Sequence, residues 1–232
     1  MPDASKKLVI AIDGPAGAGK STVAARLAPM FGYVNLESGA MYRALALKAI
    51  ETGADRGSES ALVDLARNCK IELIPTAEGN RVLLDGRDVS SRIRERDVTD
   101  AASVVSVFPK VRGIMVHLQR EMGTRGGVIM EGRDIGTVVF PNADVKIFLD
   151  ADRSVRAERR IAQVNANDPE QAAKLARDMQ ERDRRDSTRA ASPLVAASDA
   201  IHIDTSKLNI DQVIAEIERI VSEKLACIRA RF

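Results

Sequence analysis

The octapeptide GPAGAGKS, residues 14–21, constrains this chain more than any other stretch. It stands directly behind KLVIAID (7–13), a continuous apolar run rich in branched residues. Such a run reads as a strand buried on both faces, hence a central strand of a parallel sheet. Behind the loop comes KSTVAARLAPMF (20–31), where Val23, Leu27 and Met30 share one side of a helix. Strand, glycine-rich loop and helix together form the context of a phosphate-binding loop. Gly14, Gly17 and Gly19 let the backbone approach a polyphosphate with its N–H groups turned inward. The helix opening at Lys20 adds its dipole at the same place. Lys20 supplies a flexible point charge for the terminal phosphates, and Ser21 a hydroxyl for Mg²⁺. The loop points to a nucleoside triphosphate and leaves the acceptor open.

Further strands are expected at YVNL (33–36), GVIM (127–130), DVKIFLD (144–150) and AIHID (200–204). Helical patterns lie between them at 38–53, 108–123, about 152–163, 168–188 and 209–226, with Ser38 as a cap and Gly53 as a stop. This alternation predicts an α/β fold, a parallel sheet with helices on both faces. One region breaks the rhythm. KIELIP (70–75), NRVLLDG (80–86) and RDVS (87–90) read as short antiparallel strands, so 65–98 is expected to be an inserted subdomain.

Composition narrows the alternatives. Of 232 residues, 45% are hydrophobic and 29% charged, as in a globular protein. Only 3% are aromatic, and the net charge is +2. A nucleic-acid binder would want stacking platforms or a basic excess, so neither nucleic acid nor membrane is expected as a partner. Cys69 and Cys227 fit neither a disulfide framework nor a metal-ligand spacing. The start, MPDASKK, is polar and LVIAID is too short for a signal segment, so a cytoplasmic location is the expectation.

Two charged segments bear on the acceptor. EGRDIGTVVFP (131–141) follows the strand at 127–130, at the sheet edge where ligands collect in open α/β folds. Its closely spaced charges suit either a charged ligand or a structural Arg–Asp pair. RDMQERDRRDSTRA (177–190) reads mostly as a solvated helix face. Yet Arg182, Asp186 and Arg189 share one face, as a phosphate site would require. Arg153, Arg156 and Arg160 recur at helical spacing as well, whereas His117 and His202 read as ordinary residues.

Taken in order, IDGPAGAGKST, ESGAMYRALAL, EGRDIGTVVFP, KIFLDA and ERDRRDSTRAASPL resemble the motifs of bacterial cytidylate kinases, from about Ile10 to Ala200. The resemblance implies a P-loop kinase fold: a five-stranded parallel sheet flanked by helices, a monophosphate-binding antiparallel insert at 65–98 and a lid at 156–171. It implies transfer of the γ-phosphoryl group of ATP to CMP or dCMP, in pyrimidine nucleotide metabolism, with Mg²⁺ and by a monomer. ATP would be held by Gly14, Pro15, Ala16, Gly17, Ala18, Gly19, Lys20, Ser21 and Thr22, with Arg156 and Arg160 at the lid. Ser38, Tyr42 and Arg43 would lie in the acceptor cleft. Ser103, Arg112 and Asp134 would surround the cytosine, Arg133 and Arg182 reach the phosphate, and Asp186 and Arg189 face the sugar. Lys20, Arg133 and Arg182 would be catalytic and Ser21 the metal ligand. Position 131 is Glu, where some relatives carry Asp; its carboxylate could orient magnesium-bound water. UMP, AMP and shikimate stay open as other acceptors, and a nucleotide-switched RNA-binding regulator or an interaction scaffold with a vestigial loop as other classes.

Overall fold

The apolar run after Lys7 forms strand β1 (Val9–Asp13), buried from its second residue onward. In the computed structural model, residues 7–76, 79–164, 166 and 168–230 are described. The polar start 1–6, positions 77 and 78 of the expected insert, and positions 165 and 167 of the expected lid lie outside them. The phosphate loop leads into α1 (Lys20–Phe31), which buries Val23 and Leu27 while Met30 at its end is exposed. Next come β2 (Val34–Glu37) and α2 (Ser38–Thr52), which stops at Gly53 in the left-handed region. Ser38 does not cap α2. Glu37 holds that position, and the Ser38 hydroxyl instead donates to the Glu131 carbonyl at 2.7 Å.

Two helices appear that the periodicity did not separate from their surroundings. The first is α3 (Glu59–Asn68), capped by Ser58, whose Oγ accepts from the Ala61 N–H. The antiparallel sheet follows: β3 (Ile71–Thr76), β4 (Gly79–Leu84) and β5 (Arg87–Asp88). The second is α4 (Arg96–Val105), which buries Val98, Ala101, Ala102 and Val105 at helical spacing. Then come α5 (Pro109–Gly123), β6 (Val128–Gly132), a π-helical turn at Ile135–Val139, and β7 (Val145–Asp150). The chain continues through α6 (Arg153–Gln163), α7 (Pro169–Thr188) and β8 (Ile201–Asp204) to α8 (Ile210–Arg229).

The parallel sheet has the order β2-β6-β1-β7-β8. Register places Asp13 beside Gly132 and Phe148, and Glu37 beside Glu131, so loops from four neighbouring strands open on one edge. Two large apolar clusters support them. One joins β1, β7 and β8 to α1 and α8. The other joins α2, α3, α4 and α5 to the antiparallel sheet, through Met41, Leu45, Leu62, Leu84, Val98 and Met115. Asn80 of β4 ties that sheet to the edge of β2: its side chain accepts from Glu37 N–H at 2.9 Å and donates to the Asn35 carbonyl at 2.7 Å. Among the described residues, no single helix is long and apolar enough to cross a membrane.

Candidate active site

At the carboxyl edge of the sheet lies one open cavity of about 1530 Å³. On its donor side, Gly14 has φ +148°, and a Cβ there would sit 1.9 Å from the Leu149 carbonyl oxygen. No other residue fits at that position. Lys20 is 5% exposed and its Nζ donates back to the Pro15 carbonyl at 2.7 Å. Burial, reinforced by Arg133 and Arg182, pulls its ammonium down to about 7. Ser21 Oγ donates to Glu131 Oε1 at 2.6 Å. Burial and the neighbouring Glu37 push the Glu131 carboxyl upward. A hydroxyl and a buried carboxylate in contact are hard oxygen donors of the kind that would hold Mg²⁺.

Asp13, at the end of β1, is a site residue that sequence reasoning passed over. Its two carboxylate oxygens accept from Ile135 N–H at 2.8 Å and Gly136 N–H at 2.7 Å. It thereby ties the strand before the phosphate loop to the turn after Arg133 and Asp134. Burial raises it to about 6 against those bonds.

A row of cations faces the phosphate loop. Arg133 Nε donates to Asp186 Oδ2 at 2.9 Å, Arg43 pairs with Glu37, and Arg160 Nη1 donates to Gln163 at 2.8 Å. Arg182 makes no hydrogen bond or ion pair among the described residues. Burial and then Arg133 pull it down to about 10, and burial with Arg43 likewise lowers Arg160. Lys20, Arg43, Arg133, Arg160 and Arg182 all line the cavity. Asp186 and Glu37 offset part of their mutual repulsion, and anions brought between them would relieve the rest.

The acceptor wall gathers most of the remaining candidates. Arg112 Nη2 bonds Asp134, its Nη1 donates to the Ser106 carbonyl at 3.1 Å, and its guanidinium lies 5.3 Å from the centre of the Tyr42 ring. Arg189 sits 3.8 Å from Asp134 and 3.6 Å from Asp186. Ser103 accepts from Arg185 Nη1 at 2.9 Å. Arg182 and Asp186 of α7 and Arg189, just past its end, line the cavity, while Arg177 and Arg184 of the same run are exposed.

Arg156 is placed differently from the other arginines. It does not line the cavity. It is 5% exposed, with Nη1 donating to the Ala16 carbonyl at 2.9 Å and to Asp183 at 2.6 Å, and Nε to the Ala151 carbonyl at 3.0 Å. It braces the back of the phosphate loop, and Arg159 takes a place in the cavity wall beside Arg160. Helical spacing told which arginines share a face but not what that face meets. His117 lies 3.4 Å from Glu121 on an exposed face and His202 packs on Phe148, both outside the cavity.

A parallel sheet of this order, carrying its phosphate loop against a chamber of arginines, is the architecture of the P-loop kinases, enzymes of phosphoryl transfer. The family model described as cytidylate kinase matches residues 10–223. The cytidylate kinase of Solibacter usitatus is 48% identical, over 95% of this chain and 94% of its own. That of Geobacillus kaustophilus is also 48% identical, over 95% and 99%. The chain belongs to the cytidylate kinase family. In fold it is similar to an uncharacterised protein from Eubacterium ventriosum, with a TM-score of 0.51 and 13% identity over 93% of this chain and 99% of that one.

Proposed function

We propose that this kinase transfers the γ-phosphoryl group of ATP to the phosphate of CMP or dCMP, giving ADP and CDP or dCDP. The observation that carries the transfer is Arg182, without a hydrogen bond or ion pair among the described residues, lining one cavity with Lys20 and Arg133. The acceptor phosphate is already ionised at neutral pH, so no general base is required. Its oxygen attacks the γ-phosphorus as the bond to the β–γ bridging oxygen breaks, and that electron pair leaves with ADP. Lys20 exchanges the Pro15 carbonyl for the donor's outer phosphates. Arg133 and Arg182 hold charge on the transferring group, where fixed donors act most strongly. Mg²⁺ held by Ser21 and Glu131 would neutralise the donor's outer phosphates when bound.

On the acceptor side, Arg43 takes the monophosphate, Ser103, Arg112 and Asp134 the base, and Asp186 and Arg189 the sugar. Ser38 and Tyr42 shape the cleft. The region 65–98 serves as the monophosphate-binding insert and 156–171 as the lid, whose closure excludes water from the phosphoryl group. The enzyme works as a cytoplasmic monomer in pyrimidine nucleotide metabolism. A coupled assay with ATP, Mg²⁺ and a panel of monophosphates tests the assignment. The highest kcat/KM is expected with CMP and dCMP; a preference for AMP or UMP would overturn it.

A further inference from the structure

Of the two α7 arginines that line the cavity, Arg182 and Arg185, the chemistry above has no use for the second. Arg185 reaches across the cleft to α4 and donates to Ser103 Oγ at 2.9 Å, while its Nε is directed by Glu181 at 3.3 Å, one turn earlier. Ser103 is 6% exposed and belongs to the cavity wall. A serine hydroxyl has one proton and two lone pairs, whereas a guanidinium only donates. Arg185 therefore fills a lone pair, and its positive charge turns the hydroxyl proton away from itself. Helical serines commonly give that proton to the carbonyl one turn back. Ser103 does not, and no protein acceptor takes its proton among the described residues. Nearby, Tyr42 Oη, Arg112 Nε and Arg189 Nη2 are buried without hydrogen-bond partners among the described residues, so the wall holds unused donors beside the Asp134 and Asp186 carboxylates.

We propose that Arg185 is a specificity-determining positioning residue, whose bond to Ser103 commits the serine hydroxyl to donate to the acceptor's base. This rests on reading the cleft as a pyrimidine monophosphate site. Cytosine presents an amino group followed by two acceptors, the unprotonated N3 and O2. Uracil puts an N–H in the middle of the same edge. A donor held toward N3 matches cytosine and meets a second donor in uracil. A site built to bond one polar group rejects the analogue that leaves its own groups unpaired.

The test compares kcat/KM for CMP and UMP in the wild type and in Arg185→Met, Arg185→Lys, Ser103→Ala, Arg185→Met/Ser103→Ala and Asp134→Ala. Arg185→Met is expected to lower the CMP:UMP ratio about tenfold, the scale of one net hydrogen bond. Arg185→Lys, which keeps a donor, is expected to recover part of the ratio. In the Ser103→Ala background, Arg185→Met is expected to change the ratio no further. Equal losses for both substrates in Arg185→Met, or an additive double variant, would overturn the proposal. If Asp134→Ala shifts the ratio and Arg185→Met does not, the base site stands and the role of Arg185 falls. If neither shifts it, the reading of the cleft falls as well.

Discussion

Lys20 holds the Pro15 carbonyl at 2.7 Å, and in the proposed reaction a donor phosphate takes the ammonium from that partner. With its pKa drawn down to about 7, the ammonium is only partly charged before binding at neutrality and loses its charge as pH rises. Phosphate favours the charged form, so above pH 7 binding takes up a proton and donor affinity falls as pH rises. The fall approaches tenfold per pH unit. Titrating ATP from pH 6 to 9 checks this, and a flat profile contradicts it. Lys20→Ala is expected to keep its fold, by circular dichroism, while turnover drops by about 10²–10³. A different residue tests the scaffold. Asp13 takes two backbone N–H bonds, and Asp13→Asn can take only one while turning an NH₂ toward the other. A stability loss of about 1–3 kcal/mol in urea unfolding is expected, and an unchanged midpoint would count against the bond pair.

At the level of elements, the brace behind the phosphate loop gives the clearest test. Asp183 of α7 pairs with Arg156 of α6, which in turn holds the Ala16 carbonyl. Asp183→Ala releases that guanidinium, and the loop with it. KM for ATP is expected to rise about tenfold while KM for the acceptor changes little, a loss of about 1.4 kcal/mol. Were Arg156 a direct phosphate ligand, freeing it from Asp183 would lower KM for ATP instead. The parallel strands were legible because each is a short apolar run ending near the sheet edge. The phosphate loop was legible because its glycines, lysine and serine must be contiguous. α3 and α4 were harder to see. In RERDVTDAASVV charges crowd the exposed face, and small alanines fill much of the buried one. Arg185 was hidden inside a run of arginines of which Arg177 and Arg184 do face solvent, and Asp13 inside an apolar strand. In both, the partner lies far along the chain: Ser103, 82 residues away, and Ile135, 122 residues away.

Across the whole molecule, the cleft lies between two apolar clusters, and the bridges from α4 to α7 over it are polar. Arg96 pairs with Asp178 and Arg185 with Ser103, and the first of these pairs is exposed on both sides. Such bonds are weak enough to break and remake without opening either core. Binding of both nucleotides is therefore expected to slow amide exchange in α6 and α7 while leaving β1 and β7 unchanged, a difference that hydrogen–deuterium exchange reads directly. Equal rates with and without ligands would mean that the cleft does not close. α7 itself sets a further limit. The Met179 methyl would lie 3.1 Å from a Cβ at Gly17 of the phosphate loop, and Arg182, Arg185, Asp186 and Arg189 line the cavity further along, where the proposed function puts the acceptor. The distance between the two substrates is thus counted in turns of a single helix. Adding or deleting one residue between Met179 and Arg182 would swing every later side chain by about 100° and slide it by about 1.5 Å. Descendants of this chain are free to exchange residues along that stretch, but its length can change only together with the geometry of the reaction.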